Sequence, residues 1–153
     1  MSPLTPDQAQ ALARLRRRQM TEARRIIRVV AWAYGIPVEQ LHGASRAQEI
    51  AEVRQVCMYL LRTDLRWPEP ERDIPFQATR AAVLMKRDHS TILHGADVIA
   101  RRLGTDKYLA YMIDDIRAAL RREDDHPIGG HHGTATNNPR RPDRTVAGQY
   151  AFV

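Results

Sequence analysis

Six consecutive residues, Lys86-Arg87-Asp88-His89-Ser90-Thr91, put two cations, a carboxylate, an imidazole and two hydroxyls directly in front of an apolar pattern of helical spacing. A stretch that only reversed the chain would draw on Gly, Pro, Asn or Asp, each with its own turn geometry. This cluster instead suits the front of a helix that meets something polar and negatively charged. His89, Ser90 and Thr91 offer donors, acceptors and a methyl at the scale of base edges, and Asp88 can accept from a cytosine amino group. Lys86 and Arg87 stand where phosphates would pass. The same residues also admit a plainer reading, with Asp88 as a helix cap and the others as solvated first-turn side chains. No paired carboxylates, nucleophile–base pair or set of metal ligands with convincing spacing is found elsewhere. No enzymatic activity, cofactor or metal is therefore expected, and His126, His131 and His132 lie in a segment without the supporting shell that a specific metal site needs.

Two short helices must hold that cluster. "FQATRAAVLMK" and "DHSTILHGADVIARRL" meet at a tight polar joint, the outline of a helix-turn-helix, whose second helix enters the major groove with its first turn against the bases. Asp88 is the expected cap of that second helix. Its inner face is expected to carry Ile92, Leu93, Ala96 and Ile99, with Gly104 closing it.

Upstream, Thr5-Pro6-Asp7-Gln8 reads as a helix start: Thr at the cap, Pro at the first helical position, acid in the first turn. The pattern runs to Tyr34, with Ile26, Ile27, Val30 and Tyr34 on one face, and Gly35 ends it. A break or bend is expected near Arg17 to Met20, where "RLRRRQM" makes a poor core helix. Pro37 opens a short segment, "PVEQLHG", and Ser45 is a plausible cap for the next helix. That helix carries Ile50, Val53, Cys57, Leu60 and Leu61 at strongly amphipathic spacing, with Cys57 read as a buried, inert thiol. Pro68, Pro70 and Pro75 forbid a continuous helix through "RWPEPERDIP". A last helix places Leu109, Met112, Ile113 and Ile116 inward and Arg121 and Arg122 near its C-terminal end. After Glu123 the composition turns to Gly, Pro, Asn and Thr without periodicity, so residues 123–153 are expected to be a disordered polar tail. With no alternating strand patterns, the fold class is all-α.

The chain of 153 residues suits one domain plus a tail. Its net charge of +6 is almost all arginine, since Lys86 and Lys107 are the only lysines. That balance favours a polyanionic partner, nucleic acid before an anionic membrane. One cysteine excludes a disulfide framework, and no apolar run approaches a bilayer span or a signal-peptide core. The expected location is cytoplasmic, at the nucleoid. Residues 1–22 are an arginine-dense helical lead-in to a domain over 23–122. Arg14, Arg16, Arg17, Arg18, Arg24, Arg25 and Arg28 are opposed only by Glu22, and they either track phosphates beside the main site or form a solvated face.

Three blocks in order carry a more specific signal. "VVAWAYGI", Gly43-Ala44-Ser45-Arg46 with Arg54-Gln55 and "CMYLLR", and Arg87-Asp88-His89-Ser90-Thr91-Ile92-Leu93-His94 together resemble the C-terminal DNA-binding domain of the bacterial replication initiators of the DnaA family, from about Ile26 to Arg102. The resemblance implies a Trp-repressor-like helical domain containing a helix-turn-helix that binds a short asymmetric duplex element, the DnaA box. It implies that Asp88, His89, Ser90 and Thr91 read the major groove, that Arg46 enters the adjacent minor groove, that Arg54 and Gln55 hold the DNA backbone nearby, and that Arg87, beside Lys86, holds a phosphate. His94 matches as well, either as packing or capping or as a contact.

The chain also departs from the family pattern. Ala44, Ala47 and Gln48 stand where further basic residues are usual, "TDLRWPEPERDIPF" lengthens the link into the helix-turn-helix, and Met85-Lys86 replaces a tight pair. No phosphate-binding loop of the form G-x-x-x-x-G-K-[ST] is present, so the expectation is a stand-alone domain rather than an initiator. The implied partner is double-stranded DNA. The alternative is a protein-interaction module that binds the initiator or another protein.

Overall fold

A computed structural model describes residues 2–45 and 47–125. Arg46 and the segment 126–153, which holds most of the expected tail and its histidines, lie outside the described residues. The chain forms α1 (Pro6–Tyr34), α2 (Val38–His42), α3 (Gln48–Asp64), β1 (Arg66–Pro68), β2 (Asp73–Pro75), α4 (Ala78–Met85), α5 (His89–Arg102) and α6 (Lys107–Asp125). The all-α class and the helix-turn-helix are thus present, with one small hairpin added. Among the described residues no helix is long and apolar enough to cross a membrane.

Local chemistry sets the ends of α1. Thr5 accepts from the Gln8 N–H while the Gln8 side chain accepts from the Thr5 N–H, a reciprocal capping box in front of Pro6. At the other end Gly35 adopts φ 67°, the left-handed conformation that closes a helix at little steric cost. The break expected near Arg17 to Met20 is absent: the helix runs through it. No Gly or Pro interrupts the helix after Pro6, and arginine is a good helix former. Arg16 is also tied down: its guanidinium donates to the Pro68 carbonyl (3.1 Å) and to Glu69 (3.2 Å), and lies 5.4 Å from the Trp67 ring centroid. A charged run here extends the helix along a neighbour instead of breaking it, and α1 passes position 22 without interruption.

That neighbour is the hairpin. Arg66, Trp67 and Pro68 pair antiparallel with Pro75, Ile74 and Asp73. Pro68 and Pro75 sit at strand ends, where a missing N–H costs no central ladder bond. Trp67 is buried edge-on to Phe76, with Arg80 of α4 stacked 3.7 Å from its ring centroid. The prolines break the helix as expected, but strands of three residues are too short to show an alternating pattern.

The core gathers the apolar faces of α1, α3 and α6 with parts of α4 and α5. Ile26, Ile27, Val30 and Tyr34 meet Val53, Cys57, Leu60 and Leu61, and Leu109, Met112, Ile113 and Ile116 close it. Burial pushes the Cys57 thiol far above its usual range, so it stays a neutral apolar filler.

Candidate nucleic-acid interface

The interface is built around the α4–α5 joint. Lys86 ends α4 with φ 55°, the only positive φ among the described non-glycine residues, and this kink turns the chain directly into α5. Asp88 is the N-cap of α5 by backbone geometry, yet its carboxylate makes no cap hydrogen bond. His89, Ser90 and Thr91 follow in the first turn, exposed, and among the described residues their side chains have no hydrogen-bond or ion-pair partner. Four polar side chains therefore stand at a helix N-terminus with their donors and acceptors unspent.

α5 is held on α3 by a close approach at Gly95. A Cβ there would come 2.3 Å from the Met58 sulfur and 3.4 Å from the Gln55 Cγ. Gln55 is thus placed beside the second helix, half-buried. Ile92 and Ile99 are buried as expected and Ala96 is half-buried, but Leu93 is 44% exposed. The inner face is centred between Gly95 and Ala96, so Leu93 joins His94 on the outward side. Val83 of α4, 77% exposed, lies on the same helix-turn-helix unit. A glycine in mid-helix, costing about 1 kcal/mol against alanine, was the available sign of the tight α3–α5 contact.

Arg54 serves the fold. At 7% exposure its Nε donates to the Leu41 carbonyl (2.9 Å), Nη2 to those of Gln40 (3.1 Å) and Gly43 (2.7 Å), and Nη1 to that of Ser45. Four of its five N–H donors are used on the loop between α2 and α3. Burial, then the neighbouring Arg87 charge, holds its pKa below the usual guanidinium value. Arg87 also reaches this loop, donating to the Gly43 carbonyl and to the Lys86 carbonyl (2.9 Å), which leaves three donors free. Ser45 does not cap α3: Ala47 holds that position without a side-chain bond, and the Ser45 hydroxyl accepts from the Ala47 N–H at 3.3 Å.

The structure therefore brings Lys86, Arg87, Asp88, His89, Ser90 and Thr91 to one edge, with Gln55 behind it and the Gly43–Ser45 loop roped to it by Arg54 and Arg87. Residues 23–71, from the second half of α1 to the hairpin tip, match the family model described as "Bacterial dnaA protein helix-turn-helix".

The chain carries a bacterial DnaA helix-turn-helix domain.

Its relatives include the chromosomal replication initiator protein DnaA of Chloroflexus aggregans, 36% identical over 122 residues, which is 77% of this chain and 24% of that protein. That of Thermomicrobium roseum is 31% identical over 120 residues, 78% of this chain and 24% of the relative. That of Deinococcus radiodurans is 31% identical over 107 residues, 68% and 21% respectively. The chain thus spans about a quarter of the length of the DnaA proteins it matches.

Proposed function

We propose that this DnaA-type domain binds double-stranded DNA sequence-specifically at DnaA-box-like sites and acts, without catalysis, as a regulator of replication initiation or transcription. The observation that carries this reading is the unspent first turn of α5, where Asp88, His89, Ser90 and Thr91 are aimed outward from a rigid helix with no partner of their own. In the major groove each base pair shows a distinct donor–acceptor pattern, and short side chains on a helix can read it. Lys86 and the free donors of Arg87 supply phosphate contacts on either side of that turn. Arg46 enters the minor groove from the neighbouring loop. Arg54 holds that loop in place, and Gln55 supports the DNA backbone from α3. In this reading Leu93 and Val83 present apolar surface toward thymine methyls at the groove edge.

The test is selection of bound sites from a random duplex library with the full chain, followed by titration of the selected site against a scrambled duplex. Specific recognition predicts an enriched box and a preference of about a thousandfold or more. Recovery of no common motif, with equal affinity for both duplexes, would transfer the outward face of α5 to a protein partner such as the initiator itself.

A further inference from the structure

The long helix α1 carries a second charged surface that the recognition edge does not use. Arg14, Arg17, Arg18, Arg24 and Arg28 are exposed, and none has a carboxylate or carbonyl partner among the described residues. Arg16 and Arg25 behave differently, one held by the hairpin and the other by Glu22 and the Leu120 carbonyl. At about 100° per residue the five free arginines fall within an arc of roughly 120°. The buried Ala23, Ile26, Ile27, Val30 and Tyr34 occupy the opposite side of the helix. Trp32, 38% exposed, lies within the arginine arc.

We propose that this face of α1 binds the phosphate backbone of a second DNA duplex, so that one chain bridges two segments. Position and spacing support this. The apolar side of α1 packs on α3, α6 and the hairpin, so its arginine side points away from the α3 flank on which α5 sits. A duplex seated on the first turn of α5 would meet α5 and the Gly43–Ser45 loop that Arg54 and Arg87 tie to it, and neither element carries these arginines. From Arg14 to Arg28 the row extends about 21 Å at 1.5 Å per residue, a length over which a duplex presents on the order of a dozen phosphate charges. Guanidinium groups in a row bind phosphate oxygens in forked pairs and release counterions without reading sequence. An anionic bilayer is the competing surface, but an interfacial helix needs an apolar face free to enter the lipid. In α1 that face is committed to the core from Ala23 onward.

This inference uses none of the α5 residues, so it can fail separately from the reading above. The full chain is bound to beads carrying its selected site, and a fluorescent scrambled duplex is added. The wild type is expected to capture the scrambled duplex. Replacing Arg14, Arg17, Arg18, Arg24 and Arg28 together by Gln should cut that capture by about tenfold or more, and should lower the salt slope of scrambled-duplex binding by about 4–5. Affinity for the bead-bound site should stay within about twofold, since no α1 phosphate contact is assigned to it. The same five positions changed to Lys should keep the capture. Unchanged capture by the Gln variant overturns the proposal, as does an equal loss of affinity for the selected site. Displacement of the scrambled duplex from the wild type by phosphatidylglycerol vesicles, but not by phosphatidylcholine vesicles, also overturns it and gives the face to lipid. Sedimentation in the same buffer completes the test: a dimer whose capture per bead-bound chain is kept by the Gln variant but lost in His89→Ala bridges through two α5 helices and refutes the α1 site. If the selected site itself is not bound, the α5 reading fails, and the salt slope on scrambled duplex alone still decides the α1 face.

Discussion

Arg54 and Arg87 donate to the same acceptor, the carbonyl oxygen of Gly43. One guanidinium comes from within α3 and the other from the α4–α5 joint, so a single peptide group ties the loop before α3 to the start of α5. The Gly43 peptide and the start of α5 are thereby fixed relative to one another before any partner arrives.

For Arg54 this shared carbonyl predicts a structural loss. Arg54→Met removes four hydrogen bonds to loop carbonyls and should destabilise the fold by about 2–4 kcal/mol. Urea unfolding measures the loss. On DNA the variant should weaken cognate binding with the salt slope unchanged, because a fold anchor displaces no counterion. A slope lower by about one unit would instead make Arg54 a phosphate ligand.

The two proposed readout positions should separate in kind. His89→Ala should narrow the gap between selected and scrambled duplexes by about 1–3 kcal/mol, the worth of a good major-groove contact, and leave the salt slope nearly unchanged. Arg46→Ala should weaken selected-site binding and lower the slope by up to about one unit, if it displaces a counterion as a phosphate contact does. Titrations of both variants on both duplexes at several salt concentrations check this. If neither changes selected-site binding, the interface has been misplaced.

Lys86 should show opposite signs for stability and binding. Its φ of 55° favours glycine, so Lys86→Gly should relieve strain of about 1 kcal/mol and raise the melting temperature. The same change removes a cation beside the groove and should lower the salt slope by about one unit. A destabilised Gly variant would mean that the lysine side chain itself supports the joint.

At Gly95 the close approach to Met58 leaves no room for a branched side chain. Gly95→Val should cost about 2–3 kcal/mol through overpacking and reduce site preference by tilting α5. Met58→Ala in the same chain should restore part of both, a coupling that a double-mutant cycle measures.

Asp106 predicts acid sensitivity. Burial disfavours its charge, but the Leu109 N–H, the Arg102 guanidinium (2.8 Å) and the Tyr108 N–H outweigh that and hold its pKa below the usual carboxylate value. A depressed folded-state pKa gives stability that is complete above the unfolded value and lost as pH falls through the folded one. Asp106→Asn should therefore be less stable at neutral pH and flatten the acid limb of the stability profile, as thermal melts across pH would show.

Much of this protein was determined by the sequence alone, because the relevant physics is local. The capping box at Thr5, the left-handed Gly35, the apolar faces of α3 and α6, and the polar cluster before α5 all depend on residues within a few positions of one another. Tertiary contacts decided the rest. Ile92 and Ile99 allow an inner arc drawn toward Leu93 or toward Gly95, and the latter was selected by the close fit against Met58 and Gln55 of α3. Arg54 reads as a cation in any list of charges, but its burial beneath four loop carbonyls turned it into an anchor. The arginine run of α1 stayed within one continuous helix, and a hairpin of two three-residue strands offered its Arg16 an aromatic ring, a carbonyl and a carboxylate at long sequence separation. Periodicity reports which side chains share a face. Which face is covered, and which charge is spent within the fold, depends on partners that meet only when the chain has packed.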